Sequence, residues 1–156
     1  MDLTNFCFLG DQFEYNLGHV QINSKYFKKQ KQYDKLIQHV VEIITDSLKI
    51  SLNNFNSDKF VVSVDLKYLE LSQVDKDLLL KLVNVLETLF PEKLSKCYIS
   101  GASGFFKGIY KCLALFINKR TRSKIKFVKK NGKISSDQEY LNCNDDNPEN
   151  IQNINH

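Results

Sequence analysis

The chain has 156 residues, 42% of them hydrophobic and 26% charged, which is the make-up of a single globular domain with enough apolar side chains for its own core. A net charge of +4 is too modest to identify a partner, and no apolar run approaches the ~20 residues that span a bilayer. The first twenty residues lack a basic flank followed by an apolar stretch, which argues against a secretory signal and for a cytoplasmic protein. Cys7, Cys97, Cys112 and Cys143 show no CxxC or Cys/His spacing, which argues against a zinc site and a disulfide framework.

In chain order, residues 1–27 alternate weakly and suggest two short strands, Phe6–Leu9 and His19–Ile22. From Lys28 to Ile50, Tyr33, Leu36, Ile37, Val40, Val41, Ile44 and Leu48 recur at three- and four-residue steps, one face of a helix. Turn residues from Asn53 to Asp58 end it. Phe60–Leu66 is a β-branched apolar run, as in a strand buried on both faces. Ser72 and Asp75 resemble a capping box opening a helix that carries Leu79, Leu82, Val83, Leu86 and Leu89 and stops at Pro91. Lys96–Ile99 is a strand, Ser100–Gly104 a turn, Phe105–Ile117 a helix and Ile125–Val128 another strand. Strands alternating with helices of this length predict an α/β fold, a mostly parallel sheet with right-handed crossover helices. The expected organisation is one domain over residues 1–130 and a polar, Asn-rich, disordered tail over 131–156.

Few side chains point to chemistry. The Ser100–Gly104 turn lacks the Gly-Lys-Ser/Thr of a P-loop, the spacing of a dinucleotide fingerprint and, with Phe at 105, the final glycine of a nucleophile elbow. Small residues permitting a tight turn and close helix packing explain it more simply. Asp65 at the end of a strand either reacts or caps the next loop. No catalytic residue, metal ligand or cofactor is expected. Glu92 and Lys93 precede one strand and Lys124 the next, and parallel strands are entered from one edge, so the three should gather there. A Glu92–Lys124 pair would leave Lys93 free for an anionic group, and an ordinary surface ion pair is the plainer alternative. From Lys119 to Lys133, eight of fifteen residues are Lys or Arg and none is acidic, a run suited to an anionic membrane surface or simply to a solvated loop. It lacks the interleaved aromatics of a single-strand platform, so nucleic acid is not expected.

From residue 60 onward the sequence resembles the core of the CRAL-TRIO lipid-binding family. The resemblance rests on Val64-Asp65-Leu66-Lys67, Phe90-Pro91-Glu92-Lys93 and Lys96-Cys97-Tyr98-Ile99, in order. A helix from Gly104 to Phe116 follows, then Thr121-Arg122-Ser123-Lys124-Ile125-Lys126-Phe127. It implies a non-enzymatic domain with a hydrophobic pocket gated by the Phe105–Ile117 helix, with Phe105, Phe106, Ile109, Leu113 and Phe116 toward the acyl chain, and Glu92, Lys93 and Lys124 in the headgroup region. Phosphatidylinositol binders of the family carry hydroxyl residues where this chain has Phe60 and Val62, which removes donors a phosphate needs. The Asn-Ala-Pro after the second core strand is Gly101-Ala102-Ser103 here, and the helical segment before the fold and the Leu-Pro…Gly-Gly segment after it are not found. The chain thus resembles short, divergent or BCH-like members. The expected function is binding or transfer of a phospholipid or other hydrophobic small molecule, possible membrane docking included; the alternative is a protein-interaction module with a filled pocket.

Overall fold

The computed structural model describes residues 1–129. The expected tail at 131–156 lies outside the described residues. A short helix α1 (Leu3–Phe6) leads into β1 (Cys7–Leu9) and β2 (Gly18–Asn23). There follow α2 (Asp34–Phe55), β3 (Phe60–Asp65), α3 (Lys76–Leu89), β4 (Leu94–Ser100), α4 (Gly104–Leu113), α5 (Lys119–Lys124) and β5 (Ile125–Val128). The five strands stand in sequence order, with β1 antiparallel and β2 to β5 parallel.

Sequential parallel strands joined by right-handed crossovers put every crossover on the same side of the sheet. The packing agrees. Phe60 and Val62 of β3 meet Leu36, Val40 and Ile44 of α2 and Leu78 of α3, while Ile99, Ile125 and Phe127 meet Phe106 and Tyr110 of α4. Strand alternation sends His19, Ser63, Lys96, Tyr98 and Lys126 to the other face. Close contact of α2 with the sheet needs a glycine: a Cβ at Gly18 would stand 1.8 Å from the Ser47 carbonyl oxygen, and Gly18 N donates to Ser51 Oγ at 2.7 Å.

Several boundaries differ from the sequence reading. Helix α2 begins six residues late because Tyr33 turns into the core against Phe27 (ring centroids 6.2 Å apart), its hydroxyl taking Gln30 N at 3.0 Å. It runs on to Phe55, where Asn56 closes it in a left-handed conformation (φ 50°). The cap of α3 is Asp75 alone; the capping box just upstream is Glu70 with Gln73, around a 3₁₀ turn containing Ser72. The basic run opens with a helix, α5, capped by Asn118. The turn reading holds at Gly101 (φ 68°), where a Cβ would lie 2.7 Å from Lys67 N; Gly104 and Gly108 face open space, so they are not sites of close helix packing. Asp65 caps: its Oδ1 accepts from Lys67 N at 2.9 Å. Cys112 is exposed, whereas burial pushes Cys7 and Cys97 up to about 12.

Candidate functional site

Strand β3 ends at Asp65, and residues 66–75 carry the chain away before α3 returns across the sheet. Under that connection lies a cavity of about 130 Å³. Ile22, Val64 and Leu66 form its floor, Leu78, Leu79 and Leu82 of α3 its roof, and Phe6 and Phe27 its rear wall. Leu69, Val74 and Phe106 complete the apolar lining; the polar neighbours are Ser24, Gln73 and Asp75. Burial works against the Asp75 carboxylate, but the Tyr33 hydroxyl at 2.9 Å, the Leu78 amide and the nearby Lys29 charge hold it below the usual aspartate range. Sites for small molecules usually measure ~300–1,000 Å³, so this one holds a complete lipid only if a wall moves.

Helix α4 supplies part of the lining. Phe106 lines the cavity, with Ser103 Oγ accepting from its amide at 3.1 Å to start the helix. Phe105, 52% exposed, lines a side pocket of about 40 Å³ with Leu71 and Ser103, and that pocket shares Leu66, Leu69, Val74 and Phe106 with the cavity. The sequence-predicted gate stripe therefore divides. Phe106 reaches the cavity and Phe105 stands at its rim, while Ile109 and Leu113 are buried away from its lining. Phe116, 73% exposed, sits in a 3₁₀ turn (Ala114–Phe116) whose tighter winding takes it off the buried side.

The charged residues gather at the opposite end, where β4 and β5 are entered. Glu92 Oε1 accepts from Arg120 at 3.0 Å, and its Oε2 lies 3.9 Å from Lys124 Nζ. The Arg120 guanidinium, with Lys124 beyond it, lowers the Glu92 carboxyl below its ordinary range. Lys93 is not left free as expected: it binds Asp58 at 3.0 Å, because the turn at Glu92 (φ 61°) sends adjacent side chains to different neighbours. Arg120, missed from sequence, comes into place because α5 coils the basic run. A cavity of about 80 Å³ lined by Leu86, Phe90, Glu92, Arg120 and Lys124 adjoins this cluster. Between the two ends, about four strand residues or ~13 Å, stand Phe60 and Val62.

On the face opposite α2, α3 and α4, His19 Nε2 lies 2.7 Å from Ser63 Oγ and its Nδ1 3.1 Å from the Asp11 carbonyl. Tyr15 covers the pair, edge-on to His19 and stacked on Tyr98 with centroids 5.2 Å apart. The sequence, weighed for a nucleophile only at the Ser100–Gly104 turn, did not reveal this pairing across two strands. Among the described residues no group of three or more His, Cys, Asp or Glu could hold a metal ion, and no helix is long and apolar enough to cross a membrane.

With that geometry in place, the model of the CRAL/TRIO domain matches residues 15–144. The chain belongs to the CRAL/TRIO family. Among solved structures the CRAL/TRIO chain is similar to the one titled "Crystal structure of Sfh5", with a TM-score of 0.65 and 19% sequence identity, over 81% of this chain and 49% of that one. The chain thus spans about half the length of that structure, and the likeness is one of fold. No curated protein matches the sequence. CRAL/TRIO domains as a family bind and transfer hydrophobic ligands and are generally not enzymes.

Proposed function

We propose that the domain binds a hydrophobic, phospholipid-like ligand in the cavity between β2, β3 and α3, with α4 as the wall that moves to admit it. The observation that carries this reading is an almost wholly apolar cavity whose rim is made by Phe105 and Leu71. Each methylene transferred there from water contributes about 0.8 kcal/mol, so a modest chain suffices for binding once the wall opens. Lys124 and Arg120, which Glu92 holds together, and Lys93 on leaving Asp58, are the residues to meet an anionic headgroup, whether of a bound lipid or of a membrane. Exposed Phe105, Leu115 and Phe116, followed in sequence by the basic α5, suit docking on an anionic surface. Lys130 and Lys133 of the basic run lie outside the described residues.

The test is native mass spectrometry after incubation with mixed liposomes, comparing the wild type with Val64→Phe, which fills the cavity. One apolar molecule per wild-type chain, absent from an equally folded V64F protein, is the expected result. A wild-type mass that stays unshifted overturns the proposal.

One observation favours a second reading, a protein-interaction module. With α2, α3 and α4 all on one side, Gln21, Lys96, Tyr98 and Lys126 share the other face, which among the described residues the 10–17 connection approaches. Under that reading the wild type takes up no ligand, and charge reversal at Lys96 and Lys126 abolishes binding of a purified partner.

A further inference from the structure

We infer that Ser123 is a phosphorylation site for a protein kinase that reads arginines ahead of its target, and that the phosphate is a switch reversing the charge of the Glu92–Arg120–Lys124 cluster. The consequence rests on the reading of that cluster as the one that meets an anionic headgroup.

The sequence carries only two arginines among its many lysines, and both precede Ser123, Arg120 by three residues and Arg122 by one. A guanidinium presents a rigid fork of donors that matches a carboxylate in two bonds, which an ammonium group cannot do. To a kinase groove lined by carboxylates, only this segment of the chain offers arginine. Ser123 is exposed, and its hydroxyl donates to the Arg120 carbonyl at 2.6 Å within the last turn of α5. Kinase grooves take their substrates extended, so α5 has to open. It has six residues and none of them is buried, so opening uncovers no core. A helix this short also gains little from its own hydrogen bonds. Thr121, the other hydroxyl of the segment, is half-buried and has Asn118, not arginine, three residues before it.

The phosphoryl group comes from ATP. Ser123 Oγ bonds to the γ-phosphorus, the bond from that phosphorus to the bridging oxygen breaks and ADP leaves, while the hydroxyl proton passes to the kinase's carboxylate base. The added group carries about −1.5 to −2 charges at neutral pH. In the cluster two cations, Arg120 and Lys124, stand against the one carboxylate of Glu92, so the phosphate turns a positive site negative. Ser123 is next to Lys124 in the chain and three residues from Arg120, a spacing that puts the two on one side of the helix. A phosphate at that position draws both cations away from Glu92, and the guanidinium grips it with the same fork it offers a carboxylate. Glu92 is left beside a group of its own sign.

The experiment treats the full chain with Mg-ATP and a calmodulin-dependent protein kinase, which selects arginine three residues before the hydroxyl, and maps the phosphate by tandem mass spectrometry. The expected result is phosphate at Ser123 in the wild type and none at that position in Ser123→Ala. At low salt the phosphorylated chain should bind phosphatidylserine vesicles roughly ten- to thirtyfold more weakly than the untreated chain, the effect of two basic residues withdrawn from the surface. The S123A protein given the same treatment should bind as the untreated wild type does. Phosphate only on another residue, or none while a control peptide is labelled, would overturn the site and leave the headgroup reading standing. Phosphate at Ser123 with unchanged vesicle binding, or an equal loss of binding in treated S123A, would overturn the switch. An untreated wild type that ignores the vesicles would overturn the membrane reading of the cluster and the switch together.

Discussion

At the C-terminal ends of β2 and β3, helix α3 lays Leu78, Leu79 and Leu82 over Ile22 and Val64 and leaves an apolar cavity between them. One helical turn later the same helix brings Leu86, and its C-cap Phe90 follows, beside Glu92, Arg120 and Lys124, and the space there is bordered by charge. The difference comes from how a parallel sheet is entered and left. All its strands are entered from one edge, so the polar connections before β4 and β5 bring their charges together. The connection leaving β3 is instead rich in Leu and Val and arches away from the strand. Between the two ends, the fully buried Phe60 packs edge-on to Phe90 with centroids 6.2 Å apart. Where relatives of the phosphatidylinositol type were expected to carry a hydroxyl, this chain has a fully buried ring that stands as a divider between the two cavities.

Removing that divider should have the largest effect. Phe60→Ala should cost about 3–5 kcal/mol in urea unfolding, the range for a buried phenylalanine. A loss near zero would mean that the ring does not separate the two ends. Asp75→Ala comes next, at about 1–2 kcal/mol, because it removes the cap of α3 and the acceptor of the Tyr33 hydroxyl. Since the folded carboxyl lies below its ordinary value of 3.8, its contribution is complete above that pH and fades as pH falls through the lowered value. The gap between wild type and D75A should therefore be full at pH 7 and shrink below 3.8, and a gap that widens in acid would contradict the assignment. Val64→Phe should shift stability by less than the ~1–3 kcal/mol of ordinary overpacking, because a void receives the ring, while ligand uptake disappears. At the charged end Glu92→Gln should leave the melting curve unaltered and tighten binding to anionic vesicles at low salt, by releasing Arg120 and Lys124. Unchanged vesicle binding would take the cluster out of any headgroup role.

How far the site was legible depends on the range of the forces that build it. Glu92 and Lys124 could be brought together from the rule of parallel entry, and Phe106 was among the residues named for the gate. Arg120 could not, because its approach to Glu92 depends on α5 coiling a segment that reads as a plain basic run. Phe6, Ser24 and Phe27 belong to an N-terminal stretch whose alternation is too weak to say which way each residue faces. Phe6 and Phe27 were still visible as large aromatics among polar neighbours, but their contact (ring centroids 5.8 Å) joins residues far apart in sequence. Nothing local marks Ser24 as a residue that borders the cavity.

By itself the sequence determined the alternation of strand and helix, the parallel core and the family, because periodicities of two and 3.6 residues and the residues that begin and end each element are local properties of the chain. Only the tertiary structure decided that the gate stripe splits between cavity, rim, core and solvent, that Lys93 turns to Asp58 and that the helices share one face of the sheet. Those outcomes depend on which surfaces close against each other when the crossovers dock, and a cavity is what remains where none does.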